Sequence, residues 1–225
     1  MVAATPDVPA QIVTTATRLF AARGFDGTSL QDIADVVGVT KQAVIHHFSS
    51  KEQVRRAVLD GILAHWNATL PALLLAATAT EDRFAAVLGE LHRFFAADPD
   101  RARVILREAL DRPAEVKRLL EGPVGPWLGA VAGYIQRGQH AGQHLPDVDA
   151  EAYVVHVLML VLSAVAGSAV MQAPLGPDAR ERYDRELFRI VHAALFPTAL
   201  PASASRVRAT KSRPKSSKTT KSKAR

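Results

Sequence analysis

Apolar residues recur every three to four positions along most of this 225-residue sequence, and almost nowhere do they alternate as a half-buried strand requires. That periodicity restricts the chain to an all-α fold. Asp26-Gly27 and Asp60-Gly61, which elsewhere would suggest hairpin turns, lie among helical patterns. A first helix is expected over about Pro9–Arg23, with Ile12, Ala16, Leu19 and Phe20 on one face and Gly24 just past its end. A second begins at Thr28 or Ser29, where Thr28 and Gln31 have capping-box spacing, and stops at Gly38. A third runs from Thr40 to about Phe48. A fourth starts at Ser49 or Ser50, with Ser49 and Glu52 at capping-box spacing, and extends to about Ala68 before Pro71 breaks the chain. Later helices are expected at 81–97, 100–111, 114–121, 125–141, 149–172 and 178–195, punctuated by prolines.

Charge divides the chain unevenly. Removing the nine Lys/Arg of residues 198–225, where there is no acid, from the total of 28 leaves 19 basic against 22 acidic residues. The basic character thus resides in the last 28 residues, which are too poor in apolar groups to offset the entropy of ordering them and read as a disordered Lys/Arg-rich tail. The first sixty residues balance six basic against six acidic side chains, so an interaction with nucleic acid there must be argued from pattern. Cysteine is absent, which excludes disulfides, thiolate zinc sites and cysteine nucleophiles. Met1–Asp7 has neither the basic nor the apolar region of a secretory signal, and a cytoplasmic location is expected.

The pattern that carries chemistry lies in residues 28–48: two short helices joined by Gly38-Val39. Ala34 is small where the helices would cross, and Gly38 accepts positive φ without steric cost. Ile33, Val39, Val44 and Phe48 supply the apolar side, leaving Lys41, Gln42, Ile45 and His46 outward on the second helix. This is helix-turn-helix logic, in which the second helix enters the DNA major groove.

Residues 12–62 resemble the DNA-binding domain of the TetR/AcrR-type transcriptional regulators. The resemblance rests on Ala16…Leu19-Phe20, Gly24-Phe25, Thr28-Ser29, Ile33-Ala34, Gly38-Val39-Thr40-Lys41 and His47-Phe48…Ser50-Lys51-Glu52, in order. It implies DNA contacts at Thr28, Ser29, Thr40, Lys41, Gln42, Ile45, His46, His47 and Lys51. Thr28 and Ser29 would offer hydroxyl or amide groups to a phosphate, and Lys41 would reach a phosphate or guanine. Gln42 stands where the family often has Gly and could pair with adenine. Ile45 replaces the usual Tyr and could touch a thymine methyl. Both departures mean that no relative's operator can be borrowed.

The resemblance further implies a three-helix DNA-binding domain at 1–62 and a larger helical effector-binding and dimerisation domain at 63–197. The homodimer would form through 149–172 and 178–195, where Ala164, Ala166, Gly167 and Ala169 allow close approach. A small apolar or amphipathic effector would be lined by Trp66, Leu91, Phe94, Phe95, Leu106, Trp127, Leu128, Tyr134, Met159 and Ser163, and would release the protein from a pseudo-palindromic operator, making it a repressor.

Other classes have less behind them. Nucleophile-elbow, dinucleotide, P-loop and His-Glu-x-x-His motifs are missing, so neither an enzyme nor a cofactor is expected. His140 and His144 have metal-ligand spacing, but Gly138, Gly142 and Pro146 weaken their helix, and no metal is expected. The apolar run Val154–Met171 is interrupted by His156, Ser163 and Ser168 and reads as a buried helix rather than a membrane span. A nucleoid-associated architectural protein binding DNA phosphates through its tail is the alternative function, but it leaves the capped helix-turn-helix unexplained.

Overall fold

Asp7 opens the first helix, α1 (Val8–Arg23), by accepting the Ala10 amide, and Gly24 closes it at φ +78°. The structure, a computed structural model, describes residues 7–79 and 83–197. The readings made for the tail, 198–225, lie outside the described residues. Beyond α1 come α2 (Leu30–Val37), α3 (Lys41–His47), α4 (Lys51–Ala79), α5 (Arg83–Ala96), α6 (Pro99–Asp111), α7 (Pro113–Glu121), α8 (Gly125–His140), α9 (Ala150–Ala166), α10 (Ser168–Met171) and α11 (Ala179–Ala193), with a short 3-10 turn at Ala173–Leu175 between the last two. Among the described residues there is no strand. Pro99 and Pro113 occupy first helical turns, where a missing amide hydrogen costs nothing.

Two of these helices differ from the sequence reading. α4 does not break at Pro71 but continues to Ala79. A proline removes one backbone donor, yet in an established helix each further residue regains a hydrogen bond, so the ladder resumes beyond it. The helix expected at 149–172 is interrupted instead at Gly167, and its two pieces are bent by 72°. Ser163 donates its hydroxyl back to the Met159 carbonyl, a bond that bends helices, and glycine offers little resistance at the next turn. Among the described residues no single helix is long and apolar enough to cross a membrane.

Three apolar clusters hold these helices together. The first joins α1–α4 through Ile12, Phe20, Ile33, Val44, Val54 and Val58, and takes in Val104 from α6. Full burial of each such side chain contributes about 1.5–3 kcal/mol. The second gathers Trp66, Leu91, Phe94, Phe95, Val161, Leu162 and Leu187. A third, under the end of α8, contains Ile135, Val154 and Leu195. Ile62 touches both the first and second clusters, so α4 belongs to each. α6 likewise packs on α1 and on α9.

Candidate nucleic-acid interface

The short helices α2 and α3 are each pinned at the N-terminus by a side chain and closed at the C-terminus by backbone amides. Ser29 caps α2: its hydroxyl accepts the Asp32 amide at 3.1 Å, and the Asp32 carboxylate accepts the Ser29 amide at 2.7 Å. The capping box is therefore Ser29–Asp32, one residue beyond the Thr28–Gln31 pair expected. Thr28 is the reason for the shift. It is buried, and its hydroxyl donates to the Gly24 carbonyl at 2.9 Å, so neither a cap nor a phosphate receives it. Hydrogen bonds from Ser29, helped by the charge of Arg23, hold the Asp32 carboxyl below the usual range.

Gly38 ends α2 in the left-handed conformation, φ +82° and ψ +31°, which a side chain would strain. Its amide and that of Val39 both donate to the Ala34 carbonyl, at 2.9 and 3.0 Å, and the chain turns sharply into α3. Thr40 caps α3 by accepting the Ala43 amide at 3.1 Å. Val44 points into the core and is fully buried, while Lys41, Gln42, Ile45, His46 and His47 are all exposed. Ile45, 41% exposed, is a large apolar side chain left in solvent on a helix that has a core to enter. The structure thus brings Ser29, Thr40, Lys41, Gln42, Ile45, His46 and His47 to the surface of this motif.

Lys51 is placed otherwise. Its ammonium donates to the carbonyls of Phe25 and Thr28, at 2.8 and 2.9 Å, and lies 4.1 Å from the centre of the Phe25 ring. It ties the start of α4 to the loop after α1 rather than reaching outward to a phosphate. The cap of α4 also differs from the Ser49–Glu52 pair expected: Ser50 accepts the Gln53 amide and Gln53 accepts that of Ser49, leaving Glu52 to Arg55.

Arg55 is a site residue that sequence reading missed. It is 1% exposed, and its guanidinium donates to Glu52 on its own helix, to Glu108 on α6 at 2.6 Å and to Glu115 on α7. Burial alone would lower its pKa, but the three carboxylates outweigh burial and raise it. Arg107 reinforces the same junction by donating to the carbonyls of Ala21 and Ala22 at the end of α1. A signal was present: Arg55, Leu59, Ile62 and Trp66 fall on one helical stripe, so a charge sat in an apolar row.

The residues expected to line an effector pocket divide among three places. Trp66, Leu91, Phe94, Phe95 and Trp127 surround an apolar cavity of about 110 Å³, with Trp66 edge-on to both Phe94 and Trp127 at 5.1 Å. Leu91, Trp127 and Tyr134 line a second cavity of about 370 Å³ between α5, α8 and α9. Leu106 and Ser163 lie instead in a cleft of about 850 Å³ between α1 and the α6–α9 pair. Leu128 packs against the third apolar cluster, and Met159 is 42% exposed, outside all three. His144 is buried, with Nδ1 2.9 Å from the Ile135 carbonyl, whereas His140 is exposed, so the two do not converge. Among the described residues no cluster of side chains could hold a metal ion.

Comparison with known proteins agrees with this geometry. Residues 12–58 match the model for bacterial regulatory proteins of the tetR family. The HTH-type transcriptional repressor KstR2 of Mycolicibacterium smegmatis is 26% identical over 201 residues, spanning 83% of this chain and 93% of the relative. The HTH-type transcriptional regulator TtgR of Pseudomonas putida is 43% identical over 53 residues, 24% of this chain and 25% of that protein. In fold, the ketosteroid transcriptional regulator KstR2 of Mycobacterium tuberculosis superposes with a TM-score of 0.66 at 18% identity, covering 86% of this chain and 97% of that one. A helix-turn-helix capped at both short helices, matched over residues 12–58 by the tetR family model and carried on α4 into a larger helical body like that of these relatives, identifies the chain as a DNA-binding transcriptional regulator with a tetR-type DNA-binding segment.

Proposed function

We propose that the protein is a homodimeric repressor that grips a pseudo-palindromic operator through α3 of each copy and lets go when a small apolar or amphipathic molecule enters its helical body. Residues 1–62 read DNA, residues 63–197 bind the effector and dimerise, and no catalytic step is involved. Its place of work is the cytoplasm, where the operator is. The observation that carries the reading is the outer face of α3, where Lys41, Gln42, Ile45 and His46 stand exposed on a helix anchored by Val44 and capped by Thr40. In this reading Gln42 pairs with adenine, Ile45 meets a thymine methyl and Lys41 takes a phosphate or guanine. Ser29, Thr40, His46 and His47 contact the backbone. Thr28 and Lys51 position the motif from within. A relative spanning most of the chain is named a repressor, which supports the sign.

Dimerisation is supported by an apolar face with no covering element. Val155, Met159 and Leu160 on α9 are each about two-fifths exposed, as is Ile190 on α11 at 47%. Ala164, expected at the interface, turns into the core instead. Two copies related by a two-fold axis place their recognition helices about one DNA turn apart, roughly 34–36 Å.

The test is selection of bound sequences from a random DNA library by the full chain, followed by a reporter placed behind the selected site. A pseudo-palindrome that is lost in Gln42→Ala/His46→Ala, and whose reporter is silenced by the protein, bears the proposal out. An absence of any enriched motif, or a reporter that is switched on, overturns it.

A further inference from the structure

The two apolar cavities of the helical body meet at Leu91 and Trp127 but differ in lining. The smaller is walled entirely by apolar side chains. The larger has Arg83, Arg137 and Tyr134 among its described lining residues, and no carboxylate among those. Among the described residues neither guanidinium, nor the Tyr134 hydroxyl, has a hydrogen-bond or ion-pair partner. Some comparable groups are committed. Tyr153, in the same wall, donates to the Val191 carbonyl at 2.6 Å, Arg103 to the Ala166 carbonyl at the end of α9, and Arg107 to the Ala21 carbonyl at the end of α1.

Both arginines are solvent-exposed at the rim of this cavity, so their donors are hydrated rather than committed to the protein. An anion at that mouth would supply charge-assisted hydrogen bonds to both. The space itself suits an elongated molecule, since Leu91 and Trp127 line both cavities. A cationic or uncharged head group would leave the arginines as they are.

We propose that the effector is an elongated amphipathic anion, its apolar body lying along Trp127 and its anionic head facing Arg83 and Arg137. This rests on the effector-binding reading above and adds the chemical class of the ligand. Trp66 and Trp127 are the chain's two tryptophans, so intrinsic fluorescence reports directly on the proposed site.

The experiment titrates the full chain with decanoate, decanol and decylammonium at neutral pH, below micelle formation, and repeats the series with Arg83→Gln/Arg137→Gln. Decanoate is expected to bind at least about tenfold more tightly than decanol, with decylammonium weakest. The double variant should bring decanoate to the level of decanol while leaving decanol unchanged, which also certifies that it has folded. Equal affinity of decanoate and decanol for the wild type overturns the anionic class while the cavity reading stands. Retention of the decanoate preference in the double variant overturns the role of the two arginines. If none of the three probes changes the fluorescence, the cavity reading falls as well.

Discussion

Arg55 Nη1 on α4 donates to Glu108 Oε2 on α6 at 2.6 Å, with the arginine 1% and the glutamate side chain 7% exposed. The bond crosses from the helix that carries the DNA-reading motif to one that packs on α9. Glu115, the third carboxylate of the cluster, directly precedes Val116, which lines the smaller apolar cavity. The wall of that cavity and α4 are thereby joined through one guanidinium.

Arg55→Ala should lower stability by about 3–5 kcal/mol, because it removes the buried guanidinium that Glu52, Glu108 and Glu115 share. Arg55→Met combined with Glu108→Leu should recover much of that loss, since the buried charge goes with its counterion. Urea unfolding of Arg55→Met, of Glu108→Leu and of the double variant measures the coupling. Losses that simply add would show that the pair does not interact as described.

The same cluster sets a response to acid. Hydrogen bonding to Arg55 holds the Glu52 carboxyl below its ordinary value of 4.5. A carboxylate depressed in the folded state contributes stability that is complete above its unfolded pKa and is lost as pH falls through the folded one. Stability should therefore decline below about pH 4.5, and less steeply in Arg55→Met. Parallel urea titrations across pH 3 to 6 test the difference in slope.

Lys51→Met should weaken the motif without altering the salt dependence of DNA binding. Its ammonium already serves the Phe25 and Thr28 carbonyls, so no phosphate contact is removed. Lys41→Met, by contrast, should reduce the slope of log K against log salt by nearly one unit. Binding isotherms at several salt concentrations separate the two lysines.

Gly138→Ala should destabilise the end of α8 by about 1–3 kcal/mol, the usual range for overpacking. An added methyl would fall 2.1 Å from His144 Nδ1, and the ring is confined between Tyr134 and Phe196. His144→Ala in the same chain should relieve part of the loss. Thermal melts of both singles and the double variant decide it.

Met159→Glu should convert a dimer to a monomer and weaken operator binding while leaving the monomer folded, because the side chain lies on the outer face of α9. Sedimentation velocity and circular dichroism on the same samples read the two effects independently.

What could be read from sequence follows the range of the forces involved. Gly38, Thr40 and Val44 act within a few residues of themselves, and the turn at Gly38, the helix start at Thr40 and the core place of Val44 were legible. The cap of α2 was misplaced by one position because it depends on whether Thr28 is buried, which the end of α1 decides. Lys51 and Arg55 find partners 23 to 60 residues away, beyond the reach of periodicity. The aromatic lining of the small cavity was recognisable as an apolar face. That face did not say which neighbour it would meet, so Leu106 and Ser163 went to a different cleft.

The uninterrupted run of α4 has a mechanical consequence. At 1.5 Å per residue, about 22 Å of continuous helix separate Trp66, in the cavity wall, from Lys51, beside the DNA-reading motif. Such a rod works as a lever. Tilting it by about 5° around the cavity end carries the other end through roughly 2 Å, and in a symmetric pair the two displacements combine. A groove-to-groove distance fixed by the pitch of DNA is intolerant of that error, so in the proposed dimer a ligand that shifted a few atoms near Trp66 would have leverage enough to spoil the match.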